Sequence, residues 1–379
     1  MKKFLALILA LVMSLSLVAC GGSKEEAKPA EQPAEEQGAD FSVAMITDYG
    51  DITDQSFNQT TYEACKAYCE ANGVDFNYYK PAGDSTAERV AMVEAAVDDG
   101  YTVVVMPGYA FGETITQVAD EYSDITFIAL DVGEGDLGDY TLPSNVYCAV
   151  YQEELCGYMA GYAAVKLGYT HLGFLGGMAV PAVVRYGYGF VQGADAAATE
   201  TGADVTMEYV YGNQFWGDAD ITAYMDNWYQ TLGVEVVFAC GGGIYASAAE
   251  AAAKVGGKVI GVDVDQAAII DGGYGDGMTV TSAMKGLAPT VEHMLTEVAA
   301  GNFANYGGKI ETLGLVSGDD PAANYVQIPM ESTQWSDSFS QDDYKALVKD
   351  MFDGKITVSN DISAMPQVTI TVNEYGNIK

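Results

Sequence analysis

Asp48-Tyr49-Gly50-Asp51-Ile52-Thr53-Asp54-Gln55-Ser56-Phe57-Asn58-Gln59 follows a strand-like run, Phe41 to Thr47, and leads straight into a helical pattern, Thr60 to Asn72. A strand that ends in a small, polar, Gly-containing loop and then a helix places hydroxyls, amides and free helix N–H groups at the carboxyl edge of a sheet. Open α/β folds bind ligands at that edge. The plainer reading of the same stretch is a capped helix, with Thr53 or Asp54 as N-cap and Phe57 packed inward. Local sequence leaves both readings open.

The strand–loop–helix unit recurs. Strand-like runs at Ser42–Asp48, Asp75–Lys80, Thr102–Pro107, Ile125–Val132 and Val146–Tyr151 alternate with amphipathic segments at Gln55–Asn72, Ser85–Asp99 and Gly112–Tyr122. That alternation predicts a parallel sheet with helices on both faces. Thr102-Val103-Val104-Val105-Met106 is almost continuously apolar, as a strand covered on both faces should be. A second series follows: helix 153–167, strand 170–175, helix 182–201, strand 204–211, helix 219–232, strand 234–239, helix 246–255 and strand 258–264. Two α/β halves of similar size predict two lobes with a cleft between them. Beyond them, Thr279–Met284 and Lys309–Val316 read as strands and Leu287–Ala300 as a helix. These pieces are too few for a third domain and are assigned to the first lobe. The remainder, Ser317–Lys379, holds a helix near Gln341–Phe352 and short β runs such as Gln367–Val372.

The 379 residues suffice for two domains with real cores. Residues 1–20 read as a leader, with Lys2 and Lys3, an apolar run Phe4–Leu17, and Leu17-Val18-Ala19-Cys20 resembling a bacterial lipobox whose Cys20 is lipidated. The apolar run is too short for a stable membrane span. Residues 21–40 have no large apolar side chain and read as a tether, reaching about 25 Å as a flexible coil.

A net charge of −36 opposes nucleic-acid binding. With only two arginines, Arg89 and Arg185, a polyphosphate ligand is disfavoured against a neutral or cationic small molecule. Cys65, Cys69, Cys148, Cys156 and Cys240 make an odd set without a paired Cys-x-x-Cys pattern, which predicts buried thiols rather than a disulfide framework or zinc site. No Gly-x-Ser-x-Gly, Walker or His-Glu-x-x-His motif is present, and His171 and His293 have no companion that would make them bases or ligands. Neither a catalytic residue nor a metal nor a cofactor is assigned. Gly133-Glu-Gly-Asp-Leu-Gly138 matches Gly-x-Gly-x-x-Gly, but it carries carboxylates where a pyrophosphate would lie and is read as a loop.

Several strands end in polar or glycine-rich loops: Asp48, Gly108-Tyr109-Ala110-Phe111, Asp131, Gly176-Gly177, Gly212-Asn213-Gln214-Phe215-Trp216, Gly241-Gly242-Gly243 and Asp263-Val264-Asp265. Gathered at facing sheet edges, they supply aromatic faces, Tyr109 and Phe111 among them, with backbone amides and isolated carboxylates. That mixture suits a flat ring bearing hydroxyls.

Taken in order, Asp54–Gln59, Asn145-Val146 with Gln152-Glu153-Glu154, Gly173-Phe174-Leu175-Gly176-Gly177-Met178, Gly189-Phe190-Val191-Gln192-Gly193 and Gly261-Val262-Asp263-Val264-Asp265-Gln266 resemble the basic membrane protein family. These are the purine-nucleoside-receptor-like substrate-binding lipoproteins of ABC importers. The likeness spans roughly Phe41 to Val316. It implies an α/β type I periplasmic-binding-protein fold, two Rossmann-like lobes joined by a three-stranded hinge. Placed on this chain, it divides the folded part into a first lobe of 41–152 plus 282–316 and a second of 153–281 plus 317–379. It also implies a non-enzymatic, monomeric binding protein, anchored through Cys20 on the extracytoplasmic face of the cell membrane. Its partners would be a nucleoside and the ABC permease and ATPase.

By motif match, Asp48, Ser56, Phe57 and Asn58 come from the first loop, Phe57 stacking on the base and Asn58 bonding its polar edge. Phe215 or Trp216 would form the other wall, Asp263 and Lys285 would hold the ribose hydroxyls, and Gly241 and Gly242 would let backbone approach the ligand. The chain departs from the family at Gly177-Met178-Ala179-Val180-Pro181, where an acidic residue is common two places after Gly-Gly, at the doubled aromatic Phe215-Trp216, and over Ser317–Lys379. Alternatives are a surface sensor of the same ligand class, a riboflavin or sugar receptor, or a nucleoside hydrolase using Asp48, Asp51 and Asp54.

Overall fold

A computed structural model describes residues 41–378. The leader, Cys20 and the tether lie outside the described residues. From the first described strand the chain runs β1 (Val43–Ile46), α1 (Phe57–Asn72), β2 (Phe76–Tyr79), α2 (Thr86–Asp98), β3 (Val103–Pro107), α3 (Phe111–Val118), β4 (Thr126–Leu130), the single-turn α4 (Glu134–Leu137) and β5 (Val146–Tyr151). It continues through α5 (Glu153–Lys166), β6 (His171–Gly176), α6 (Pro181–Thr201), β7 (Thr206–Tyr211), α7 (Ala219–Asn227), β8 (Val236–Cys240), α8 (Tyr245–Ala253), β9 (Lys258–Asp263), α9 (Ala267–Tyr274) and β10 (Thr279–Lys285). The last part comprises α10 (Leu287–Ala299), β11 (Lys309–Leu313), β12 (Val326–Gln327), α11 (Gln341–Phe352) and β13 (Thr371–Asn377).

Two sheets result. The first has the order β11-β5-β4-β3-β1-β2 and the second β12-β10-β9-β8-β6-β7-β13. All neighbours are parallel except β12, which runs antiparallel to β10. The central strands β1, β3 and β8 are buried at every position, which is why their sequences show no polar alternation. Each sheet reverses its strand order once, between β1 and β3 in the first and between β6 and β8 in the second. At such a point neighbouring loops diverge and open a crevice at the carboxyl ends of the strands.

The chain passes between sheets three times: at Gln152, at Gly286, and through residues 314–325. Backbone bonds tie these crossings together, Gln152 N to Leu313 O at 2.9 Å, Gly286 N to Tyr325 O at 2.7 Å and Tyr325 N to Gly314 O at 3.0 Å. The expected second crossing before Ser282 is displaced. Ser282, Ala283 and Met284 still pair with Gly261, Val262 and Asp263 of the second sheet, so β10 completes that sheet before the chain leaves it. Only α10, which packs on α1, and β11, which pairs with β5, belong with the first sheet.

Three local expectations also change. Gly133–Gly138 is not a plain loop: the Asp136 carboxylate accepts from Gly133 N at 2.9 Å and caps the single turn of α4. The glycines at 272 and 273 disguised α9. The last strand is Thr371–Asn377, which adds to the outer side of β7. The residues before it wrap α6, with Gln192 bonded to Ser359 and Asp195 to Thr369 and Ile370. His171 and His293 pair with Glu208 and Tyr306, and all five described cysteines are buried and unpaired. Among the described residues no helix is long and apolar enough to cross a membrane.

Helices α5 and α6 make the closest helix pair. Gly157 and Gly161 on one and Gly189 and Gly193 on the other are spaced four residues apart, so each pair forms a flat strip on one helix face. A Cβ at Gly161 would collide with the carbonyl oxygen of Phe190, and one at Gly193 with that of Tyr158. The contact sets how the two helices lie together, and Glu153 opens α5 while Arg185 stands in the second turn of α6. Gly161→Ala is therefore expected to cost about 1–3 kcal/mol, read as a lower urea midpoint at unchanged slope; an unchanged midpoint would show that the helices can separate freely.

Candidate functional site

Between the two sheet edges lies a cavity of about 500 Å³. The loops at both reversal points line it: Asp48 and Tyr49 after β1, Gly108 and Tyr109 after β3, Cys240 and Gly241 after β8. Backbone crowding on the second-sheet side explains the glycines there. A Cβ on Gly241 would lie 2.9 Å from Gly177 Cα, and one on Gly177 would meet the Phe215 ring. The four non-glycine residues with positive φ among the described residues are Gln55, Asp131, Asn213 and Asp263. All four stand at loops facing the cleft, and three are of the types that tolerate this backbone best.

Of the sequence-derived set, Asp48, Phe57, Asn58, Tyr109, Phe215, Trp216, Gly241, Gly242, Asp263 and Lys285 line the cavity. Ser56 does not line it. Its buried hydroxyl donates to Asp263 Oδ2 at 2.6 Å, joining the first loop to the second sheet. Phe111 is misplaced by the sequence reading: it is fully buried with Ile46, Met106 and Ile115 in the core of the first lobe. Helix α3 begins at Phe111, which turns its ring back onto the sheet while Tyr109, two residues earlier, faces the cleft.

The floor of the cavity is a charge cluster. Lys285 Nζ donates to Asp131 Oδ2 at 2.5 Å, and lies 3.5 Å from Glu153 Oε1 and 3.7 Å from Asp263 Oδ1. It also stands 4.7 Å from the Phe57 ring centre and 5.7 Å from that of Tyr186. Arg185 Nε donates to Glu153 Oε2 at 2.6 Å, and Tyr186 OH to Asp263 Oδ1 at 3.4 Å. Burial works against the lysine's charge, yet Asp131, Asp263 and Glu153 outweigh it and hold Lys285 protonated well above the usual range. Asp131 is pushed up to about 6, chiefly by burial, against the pull of Lys285 and with Glu153 and Asp263 adding repulsion. Asp131 Oδ1 and Glu153 Oε1 have no hydrogen-bond partner among the described residues.

The other end is aromatic. Tyr49 and Phe215 approach across the cleft with ring centres 6.4 Å apart, and Tyr49 OH donates to Met178 Sδ at 3.3 Å. Trp216 is half exposed at the rim, where Lys80 pairs with Asp51 at 2.7 Å. Asp48 is buried and its carboxyl is raised by that burial, although Tyr49 N and Gly50 N donate to it at 2.6 and 2.7 Å. The two sheets thus meet directly through Ser56–Asp263, Lys285–Asp131 and Gln266 Nε2 to Gln55 O at 3.1 Å.

Sequence reasoning did not select Tyr49, Asp131, Glu153, Arg185 or Tyr186. Asp131 carried a signal as a strand-end aspartate. Glu153 carried another: two acidic residues open a helix with small or apolar residues on every face, so the helix is buried and the charge needs a partner.

Comparison with known proteins bears on what such a site serves. The Bmp family model, described as "ABC transporter substrate-binding protein PnrA-like", matches residues 41–348. A Listeria innocua protein named CD4+ T-cell-stimulating antigen is 29% identical over 329 residues, covering 82% of this chain and 87% of its own. A Lactococcus lactis protein named ABC transporter nucleoside-binding protein BmpA is 25% identical over 375 residues, covering 94% and 99%. Among solved structures, an ABC transporter solute-binding protein from Aeropyrum pernix K1 superposes with TM-score 0.64 at 22% identity, over 85% of this chain and 88% of that one. Fold and family agree on a two-lobed solute receptor rather than an enzyme, and this chain belongs to the Bmp family of PnrA-like ABC transporter substrate-binding proteins.

Proposed function

We propose that the cavity binds a nucleoside, which the chain, anchored through Cys20, hands to its ABC permease as a monomer. The observation that carries this reading is the division of one cavity into an aromatic end and a carboxylate–lysine floor. Phe57 and Phe215 would flank the base, and Asn58 would bond its edge. Asp263 and Asp131 would accept the ribose hydroxyls, with Lys285 donating between them. Asp48, Asp51, Asp54, Asp131 and Asp263 around the cavity disfavour a phosphorylated ligand. The three crossings would serve as the hinge, and the ligand would favour the closed state because only there do both lobes touch it.

Thermal unfolding checks the ligand class, since a ligand that binds only the native state raises Tm. Nucleosides are expected to raise it; riboflavin and free ribose, arabinose and galactose are not. A shift with a sugar or flavin alone would overturn the assignment.

The raised carboxyl of Asp131 sets a pH dependence. A ligand hydroxyl donates to the ionised form, so affinity falls as pH drops through about 6, by at most about tenfold per pH unit. Folding stability from the same carboxyl runs the other way: the native state takes up the proton first, so this contribution rises as pH falls from about 6 towards 4. Titrations at pH 7.5 and 5.0 would show the weaker binding at pH 5.0, and equal affinities would remove Asp131 from the ligand's shell.

A further inference from the structure

Residues 349–379 lie beyond the stretch that the family model matches, yet their last strand is bonded into the second sheet. β13 runs parallel to β7, with Thr371 opposite Thr206 and Asn377 opposite Tyr211. Parallel pairing carries it towards the cleft, because the ligand loops stand at the carboxyl ends of these strands. Ile378 N donates to Tyr211 O at 2.8 Å, and the Ile378 side chain packs on the cluster of Leu175, Val210 and Ile221. Tyr211 ends β7, and the root of the Phe215–Trp216 loop follows at once. There Gly212 N donates to Gly176 O at 2.7 Å and Asn213 N to Gly177 O at 2.9 Å.

A carboxylate within β7 is foreign to a buried strand unless it is fully paired. Glu208 is 4% exposed and both its oxygens are engaged: Oε1 lies 2.9 Å from His171 Nε2 and accepts from Asn373 Nδ2 at 3.2 Å, and Oε2 accepts from Tyr375 OH at 2.6 Å. Burial would raise this carboxyl, but its donors hold it below the usual range. Two of the three partners come from β13, so the strand and the carboxylate need each other. The Tyr375 ring lies 6.2 Å from that of Trp228 and 6.4 Å from that of Tyr224. Before β13, Gln192 exchanges two hydrogen bonds with Ser359, and Asp195 Oδ1 accepts from Thr369 N at 2.7 Å and Ile370 N at 3.1 Å. Those two residues belong to α6, which carries Tyr186 in the cavity wall.

We propose that the C-terminal strap, locked onto Glu208, positions the aromatic wall of the ligand site by holding the root of the Phe215 loop from the outer edge of the second sheet. This inference takes Phe215 as a ligand wall from the nucleoside reading and adds the element that sets it. Glu208 stands outside the cavity lining and acts through β13 and Tyr211, as a positioning residue. A wall already ordered before the ligand arrives binds it more tightly, since less freedom is lost on binding.

The test combines Asn373→Ala with Tyr375→Phe in the full chain and follows hydrogen–deuterium exchange without ligand. The double variant removes both strap donors while keeping the Tyr375 ring. Protection at Thr371 and Ile378, which bond Val205 and Tyr211, and at Gly212 and Asn213 is expected to fall about tenfold, with the β8 and β9 amides unchanged. Adding Glu208→Met is expected to return the strap and loop amides to within about threefold of the original protection, because an apolar side chain of similar length needs no donors. Titration with inosine, guanosine, adenosine and cytidine is expected to show affinity about tenfold weaker in the double variant and restored in the triple. Should the double variant not fold, Tyr375→Phe alone is read in the same way.

Strap amides that keep their protection would overturn the lock on Glu208. Loop amides that stay protected after the strap opens would overturn the positioning role. So would an equal loss in β8 and β9, which marks general destabilisation, or a loosened loop with unchanged affinity. If no nucleoside binds even the unaltered protein, the nucleoside reading falls alone, and the exchange results decide whether the strap holds the loop.

Discussion

Lys285→Met is expected to abolish ligand binding and to lower stability by about 3–5 kcal/mol, because it leaves Asp131, Glu153 and Asp263 buried around a missing cation. Methionine keeps the packing against Phe57 and Tyr186, so the loss reports charge rather than volume. The sign with pH follows from the remaining carboxyls. Lys285 pulls the raised Asp131 carboxyl down, so without the lysine Asp131 rises further, the native state prefers its protonated form, and the penalty shrinks on acidification. The Tm deficit of Lys285→Met should therefore be larger at pH 8 than at pH 5. Equal deficits at both pH values would mean that the cluster is not held by charge.

Asp263→Asn carries the second large effect. The native carboxylate takes hydrogen bonds from Ser56 and Tyr186, and Lys285 lies 3.7 Å away. Asparagine keeps the shape and tolerates the φ of +64°, but it lacks the charge and one acceptor. Losing a charge-assisted bond to a ligand hydroxyl together with part of the inter-lobe contact is expected to weaken ribonucleoside binding about 100-fold. A 2′,3′-dideoxynucleoside separates the two contributions. If Asp263 holds the sugar hydroxyls, removing them and changing Asp263 will be strongly non-additive. Additive losses would assign Asp263 to lobe closure alone.

These effects depend on residues that were unequally legible in the sequence. The parallel sheets were plain because β3 and β8 are apolar throughout, and because strands ended in Asp or Gly at regular spacing. The cleft followed from that rhythm, since loops at the same end of parallel strands share an edge. Within one loop, however, sequence could not separate Tyr109 from Phe111. The onset of α3 decides which ring turns to the core, and two aromatics spaced by one residue carry no periodic signal for it. Lys285 looked like a surface lysine except through the family likeness; its burial depends on Asp131, 154 positions away along the chain. Glu153 and Arg185 were hidden for a related reason, as their pairing requires α5 and α6 to meet through glycine strips. The crossing at Gly286 could not be placed because β10 and α10 adjoin with a single residue between them. The tail was unreadable because its bonds to Gln192 and Asp195 join residues some 170 positions apart and leave no local pattern.

The central claim is that a nucleoside occupies the cavity between the aromatic end and the Lys285 cluster. Its most direct measurement is isothermal titration of residues 41–379 with inosine, guanosine, adenosine and cytidine, each repeated on Phe57→Ala. The account predicts saturable one-to-one heat with at least one nucleoside, weakened by roughly 5- to 150-fold in Phe57→Ala through the lost stacking wall. No heat with any nucleoside, or heat that Phe57→Ala leaves unchanged, would contradict it.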